Sequence, residues 1–225
     1  DATRAMLSEE GTLHTIEYYL SLNSPWSFLG GARLHDIATQ SGIKVDVRPI
    51  DAGQVFPVSG GLPLPKRAPQ RQAYRLLDLD RWRKHLNIPL ILDPENFPSD
   101  ESQAARLVCA AGLQGGDALA LATRFGESIW VHDESFADAD VRARCVSGVG
   151  LDFDSLNALA ASDQVTQKLK SFTDEAIAKQ VFGMPTYIYD GEMFWGQDRI
   201  DFLQRAVIIK ANTVVTQVDV DHGDG

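Results

Sequence analysis

Ser24-Pro25-Trp26-Ser27 closely follows the strand-like run of residues 12–20, and the step between the two decides the fold. The run is rich in β-branched and aromatic residues, which predicts a buried strand. Asn23 and Ser24 are both favoured helix caps, and Pro25 suits the first helical position, where a missing N–H costs nothing. The sequence therefore predicts a strand that leads into a helix through a polar residue at the helix N-terminus.

The residues that follow complete a β-α-β unit. The helix keeps its apolar spacing as far as Ile37 and is predicted to end at Gly42, because glycine readily takes the left-handed conformation that closes helices. Apolar and charged residues then alternate over residues 43–48, which predicts a half-exposed strand. Crossovers of this kind are right-handed, so the two strands are predicted to be parallel.

Gly183-Met184-Pro185-Thr186 begins a second informative stretch, far along the chain. Residues 187–189 and 192–195 flank Asp190-Gly191, and this dipeptide between two such runs is the strongest short signal for a β-hairpin. Asp198 is predicted to cap a last helix. This stretch therefore predicts a β-β-α unit.

Between the two stretches the sequence has no strand periodicity. Residues 51–69 are rich in Gly and Pro and predict a long loop. Six helices are predicted after it, at residues 70–86, 104–111 (behind an Asp100-x-x-Gln103 capping box), 117–130, 138–147, 154–161 and 162–183. We therefore predict an α/β fold with one discontinuous domain, residues 12–60 and 180–210, a helical insertion at residues 61–179, and tails at residues 1–11 and 211–225.

The composition excludes several classes of function. The net charge is -10 and the pI about 4.9, which argues against nucleic acid or an anionic membrane as partner but allows a local basic pocket for an anionic ligand. No apolar run approaches the roughly 18 residues of a membrane span. Cys109 and Cys145 have neither Cys-x-x-Cys nor metal-ligand spacing, so we predict two buried apolar side chains, a reducing cytoplasm and no metal site.

Together the two stretches have the layout of a thioredoxin fold. In thioredoxins the first motif is Cys-x-x-Cys, whereas Ser24 and Ser27 stand at both sulfur positions here, so dithiol oxidoreductase chemistry is not expected. A helix N-terminus presents unpaired N–H groups and partial positive charge, which stabilise a thiolate. Ser24 could donate a hydrogen bond to the thiolate of another molecule, or it could simply cap its helix.

Residues 24–30 (Ser-Pro-Trp-Ser-Phe-Leu-Gly) resemble the active-site segment of 2-hydroxychromene-2-carboxylate isomerases and of kappa-class glutathione transferases. Both groups belong to the DsbA-like branch of the thioredoxin fold. Residues 182–186 and 194–199 match two further signatures of that family, and residues 80–82 and 87–90 fit its insertion. The resemblance covers residues 12–209 and implies a DsbA-like fold with a large all-helical insertion.

The resemblance also implies a site for glutathione. It places the thiol-activating serine at Ser24 and a cis proline at Pro185, with the backbone of Met184 pairing with the cysteinyl backbone of glutathione. It places the groups that hold the γ-glutamyl ammonium and carboxylate at Gln197 and Asp198, although Asp198 could instead be a plain helix cap.

The remaining candidates come from the helices. Arg71 and Tyr74 lie near a Lys-x-x-Tyr motif of the family, and Arg71 could hold a ligand carboxylate or be an exposed helix charge. Trp26 could wall the substrate pocket or pack in the core. Some family members carry an asparagine in the loop before the helix that holds Arg71 and Tyr74. Residues 59–65 of this chain contain no asparagine.

The function implied by the resemblance is glutathione-dependent cis-trans isomerisation of a small aromatic-degradation intermediate. The thiolate adds reversibly to a conjugated carbon, the resulting single bond rotates, and elimination gives the trans isomer. The resemblance further implies a homodimer. Two alternatives stay open: a kappa-like glutathione transferase or peroxidase, and a non-catalytic thioredoxin-like protein that binds an extended peptide.

Overall fold

A four-stranded sheet forms the centre of the protein. The computed structural model describes residues 15–221, with side chains described as far as residue 210. The strands are β1 (Thr15–Leu20), β2 (Lys44–Pro49), β3 (Thr186–Tyr189) and β4 (Glu192–Trp195), in the order β2-β1-β3-β4. β1 pairs with β2 in parallel, and β3 is antiparallel to both β1 and β4. The predicted β-α-β and β-hairpin units are therefore confirmed, while residues 12–14, 1–11 and 222–225 lie outside the described residues.

Nine helices lie within the described part of the chain. They are α1 (Pro25–Ser41), α2 (Ala52–Ser59), α3 (Pro69–His85), α4 (Ser102–Leu113), α5 (Ala118–Trp130), α6 (Ala139–Gly148), α7 (Phe153–Ala160), α8 (Asp163–Ala178) and α9 (Ile200–Asp221). Side-chain caps begin several of them where the sequence predicted a helix start, as Asp117, Asp138 and Ser162 do for α5, α6 and α8. No helix of residues 15–221 is long and apolar enough to cross a membrane.

Several sequence-based boundaries are wrong. Residues 51–69 contain α2 and a short 3-10 turn rather than one long loop, because Asp51 caps α2 and Gly60 closes it in the left-handed conformation. The α8 helix ends at Ala178 rather than at Gly183, and α9 continues to Asp221, past the predicted start of the tail at residue 211. A helix pattern marks the presence of a helix better than its ends.

Two predicted caps are also wrong. The Asp100-x-x-Gln103 box does not form, since Asp100 accepts a hydrogen bond from the N–H of Ser102 and α4 has no side-chain cap. Asp198 does not cap α9, because it lies inside a 3-10 turn (Gln197–Arg199) that precedes the helix. In both places an acidic residue that resembles a cap is held by other contacts.

Candidate active site

Ser24 joins the two sequence motifs. It lies at the N-cap of α1 with extended backbone angles, and its hydroxyl oxygen accepts a hydrogen bond from the N–H of Ser27 at 3.2 Å. The same hydroxyl donates to the carbonyl oxygen of Met184 at 3.4 Å, across 160 residues of sequence. The side chain is half-buried. Ser24 is therefore a helix cap and at the same time lies beside the Met184-Pro185 segment.

The Met184-Pro185 segment is held from several directions. Its peptide bond is cis, as the resemblance implied. The carbonyl of Pro185 accepts from the N–H of Gly196 at 2.9 Å, and the hydroxyl of Thr186 donates to the carbonyl of Gly183 at 2.7 Å. Pro185 is buried and Met184 half-buried, so Met184 presents a fixed backbone at the edge of the site.

A cleft of about 220 Å³ opens next to Met184. Aromatic, acidic and basic side chains line it together with backbone: Trp26, Asp78, Trp82, Met184, Trp195, Gly196, Gln197, Asp198 and Arg199. Three of the four tryptophans of the chain are in this lining. Flat, polarisable indole walls with charged groups among them suit a planar or sulfur-containing ligand that carries charge.

Gln197 and Asp198 both line the cleft, but they differ in their exposure and in their hydrogen bonds within the protein. The Gln197 side chain is buried, and its amide oxygen accepts a hydrogen bond from the guanidinium of Arg33. Asp198 is exposed, and its carboxylate accepts from Arg199 at 2.7 Å. Asp198 is therefore accessible to a ligand cation, whereas the side-chain oxygen of Gln197 is already bonded within the protein.

Arg33 is a site-supporting residue that sequence reasoning missed. Its guanidinium lies over the ring of Trp82, 5.5 Å from the ring centre, and holds Gln197. Burial lowers the pKa of Arg33, a change that the nearby acids Asp201 and Asp198 oppose. Arg33 thus joins α1, α3 and the turn before α9 beneath the cleft, a contact between distant segments that no local pattern reveals.

Helix α1 approaches the sheet closely because residue 30 is glycine. A Cβ atom at Gly30 would lie 2.6 Å from the hydroxyl of Tyr187 and 3.2 Å from the Cβ of Gln197. Tyr187 stacks on Tyr18 with ring centres 5.2 Å apart, and Tyr18 donates to the carbonyl of Ser27 at 3.2 Å. Burial raises the pKa of both tyrosines. Both phenols therefore stay neutral and serve as packing beneath the start of α1.

Arg71 and Tyr74 are exposed and are not among the residues that line the cleft. Asp78 and Trp82 of the same helix do line it. Residues 74, 78 and 82 are spaced by four, so Tyr74 continues the cleft-facing stripe of α3 by one further turn. The four-residue spacing was visible in the sequence, but it does not show which face of α3 meets the cleft.

Neither cysteine belongs to the site. Cys109 and Cys145 are buried free thiols in α4 and α6, and burial raises the pKa of each to about 11. Among residues 15–221 no cluster of His, Cys, Asp and Glu is placed to hold a metal ion. The cleft therefore offers two carboxylates, the guanidinium of Arg199 and backbone, with the hydroxyl of Ser24 beside it at Met184.

We expect both thiols to be inert in the folded protein. A thiol with a pKa near 11 is almost entirely protonated at pH 8, and only the thiolate attacks a disulfide reagent. Titration with an aromatic disulfide should give no fast release of chromophore in buffer and two equivalents in denaturant. A thiol that reacted within seconds in buffer would contradict this prediction.

Comparison with known proteins places the chain in a family and a fold. The profile of the DSBA-like thioredoxin domain matches residues 15–207. The 2-hydroxychromene-2-carboxylate isomerase of Sphingobium xenophagum is 29% identical over 191 residues, which cover 84% of this chain and 96% of that protein. The isomerase of the same name from Pseudomonas sp. (strain C18) is 29% identical over 194 residues, with 85% and 89% covered.

A solved structure of a 2-hydroxychromene-2-carboxylate isomerase superimposes with a TM-score of 0.75. It is 24% identical in sequence, and the match covers 92% of this chain and 98% of that one. At this identity the likeness shows the fold alone. It confirms the predicted DsbA-like thioredoxin fold with its helical insertion.

Proposed function

This chain belongs to the DSBA-like thioredoxin domain family, and on that premise we propose that it is a glutathione-dependent isomerase of an aromatic-degradation intermediate. The observation that carries the proposal is the position of Ser24. A serine, not a cysteine, caps α1 within hydrogen-bond distance of the Met184 carbonyl at the cis proline, beside a cleft walled by tryptophan. Two relatives that match most of the chain are 2-hydroxychromene-2-carboxylate isomerases, which supports the isomerase class.

The residues present fit a tripeptide thiol. The N-terminus of α1 and the Ser24 hydroxyl suit a thiolate, and the fixed backbone of Met184 suits an extended peptide. The exposed carboxylate of Asp198 suits an ammonium group. Bound there, glutathione supplies a nucleophilic thiolate whose reversible addition to the substrate allows rotation about the former double bond.

The protein itself contributes orientation and electrostatics. Ser24 donates a hydrogen bond that favours the charged form of a thiol, and it cannot compete as a redox partner. Trp26, Trp82 and Trp195 line the cleft and offer flat faces on which a planar ring can stack. No redox step is needed, because the carbon–sulfur bond that forms on addition breaks again on elimination. The double bond is then restored and the thiolate is released unchanged.

The test is isomerisation measured with and without glutathione. We expect Asp198→Asn to raise the KM for glutathione about tenfold with little change in kcat, because it removes a charge-assisted bond to the ammonium group. Asp154→Asn is the matched control, since it removes an exposed carboxylate on α7 that does not line the cleft.

Product analysis separates the proposal from its alternatives. An isomerase leaves the total glutathione concentration unchanged at complete conversion, whereas a transferase consumes it mole for mole. Absence of glutathione binding at millimolar concentration would overturn the proposal and favour a binding protein for another thiol or for peptide. Full activity without glutathione would overturn it equally.

A further inference from the structure

Phe182 and Gly183 precede the cis-proline segment, and both contact the same indole. The ring of Phe182 lies 4.8 Å from that of Trp195, centre to centre, at a tilt of 58°. A Cβ atom at Gly183 would lie 2.4 Å from Nε1 of Trp195 and 3.0 Å from its Cε2. The indole of Trp195 therefore rests directly on the backbone of Gly183, with the Phe182 ring against it.

Glycine at position 183 is required by the indole and not by the backbone. Gly183 does not take the left-handed conformation, so an alanine there would be strained only by its contacts. The backbone is held in place, because the Thr186 hydroxyl donates to the carbonyl of Gly183 at 2.7 Å and Thr186 is the cross-strand partner of Trp195. The lack of a side chain at residue 183 thus decides where the indole lies.

Trp195 differs from the two other indoles that line the cleft. Trp26 and Trp82 are half-buried and pack against the core, and the guanidinium of Arg33 already lies over the ring of Trp82. Trp195 is 52% exposed, and Phe182 is the only aromatic ring in contact with it among the described residues. Two adjacent exposed rings beside a cleft are typical of a ligand-binding groove. Trp195 is therefore the indole that has a face left for a ligand.

We propose that Phe182 and Gly183 are positioning residues that hold Trp195 as the stacking wall of the cleft, and that this wall selects a flat aromatic ring over a saturated one. Ring stacking adds about tenfold in affinity beyond the burial of apolar area, which a saturated ring obtains equally. Trp195 and Met184 line the same cleft, so a ring stacked on Trp195 lies close to a thiol held at Met184. The inference deepens the proposed function, on which only the identity of the aromatic ligand rests.

The test is calorimetric binding of two acids that carry the same charge, cinnamate and 3-cyclohexylpropanoate. We expect the wild type to bind cinnamate about tenfold more tightly. Trp195→Leu keeps an apolar side chain without an aromatic face and should reduce this ratio of affinities to below about twofold. Gly183→Ala should have the same effect, because the added methyl group displaces the indole. Phe182→Leu should lower the ratio about threefold, since it removes the ring that supports Trp195.

Gly112→Ala is the matched control for the added methyl group. Gly112 lies in α4 and does not line the cleft, and a Cβ atom there would meet its nearest neighbour, the Cβ of Ala118, at an ordinary 3.8 Å. This variant should keep the wild-type ratio. If Gly183→Ala fails to fold, Trp195→Leu and Phe182→Leu decide.

A wild type that binds both acids equally, or a ratio that survives in Trp195→Leu, would overturn the proposal. An unchanged ratio together with a halved mass of Trp195→Leu in sedimentation would do so as well, because the exposed rings would then form a contact between two copies of the chain. Glutathione, titrated separately, distinguishes this inference from the proposed function. A protein that prefers the flat ring without binding glutathione refutes the isomerase alone, and one that binds glutathione without preferring the flat ring refutes the stacking wall alone.

Discussion

Replacing Ser24 with alanine should lower the glutathione-dependent rate by about 10- to 100-fold. In the structure the hydroxyl of Ser24 accepts from the N–H of Ser27 and donates to the carbonyl of Met184. In the proposed complex it donates to the bound thiolate instead of Met184, and hydrogen bonds to charged groups contribute about 1.5–3 kcal/mol. Its loss disfavours the thiolate, so the pKa of the bound thiol should rise. The loss of rate relative to the wild type should therefore be larger at pH 6 than at pH 9. Rates and thiolate absorbance, each followed against pH, measure the two effects.

Two variants control this experiment. Ser27→Ala removes a buried hydroxyl, one turn further along α1, that has no hydrogen-bond partner in the described part of the chain, and it should keep the rate within about twofold. Ser24→Thr keeps a hydroxyl and should recover much of the rate. The loss of the cap in Ser24→Ala costs about 1 kcal/mol of stability, which leaves the protein folded. Full rate and an unchanged thiol titration in Ser24→Ala would show that Ser24 is only a cap.

The parts of the fold that were predicted correctly depend on local signals. The step from β1 into α1 uses a cap and a proline, and the β-hairpin uses Asp190-Gly191, both of which take positive φ angles in the structure. These residues act on their neighbours, so one sequence suffices to interpret them. The proximity of Ser24 to Met184 followed from the combined layout of two such units.

The parts that were missed depend on contacts between distant segments. Arg33 and Gln197 are 164 residues apart, and nothing near either residue indicates that they meet. The resemblance pointed to Arg71 and Tyr74 of α3, and the sequence did not indicate that Asp78 and Trp82 of the same helix line the cleft. Helix periodicity gives the faces of a helix but not which neighbour each face meets. Glu101 is the clearest example of a contact between distant segments that the sequence does not indicate.

Glu101 looks like an ordinary acidic helix start, yet it organises the loop before Ser24. Its carboxylate accepts hydrogen bonds from the N–H of Leu22 at 2.6 Å, the N–H of Asn23 at 3.2 Å and the hydroxyl of Ser21 at 2.9 Å. Burial raises the pKa of Glu101, although these donors oppose the rise. The side chain therefore fixes the chain between β1 and α1 at the point where the site begins.

Glu101→Ala should lower the free energy of unfolding by about 3 kcal/mol. Three donors lose their acceptor, and a buried donor without a partner costs about 1–3 kcal/mol, an amount that local water partly offsets. Ser24 would also lose its fixed position, so the glutathione-dependent rate should fall together with stability. Denaturant unfolding at pH 7 measures the first effect, and the rate at a temperature well below the transition measures the second.

Glu101→Gln is the matched variant, since its amide oxygen can accept from the two N–H groups while its NH2 group donates to Ser21. We expect a loss below about 1 kcal/mol at pH 7. Because folding raises the pKa of Glu101, the folded state binds more protons than the unfolded state between the two pKa values. The stability of the wild type relative to Glu101→Gln should therefore increase as the pH falls from 8 toward 5. A relative stability that decreased over this range would mean that the three donors outweigh burial and that the carboxylate is held in its charged form.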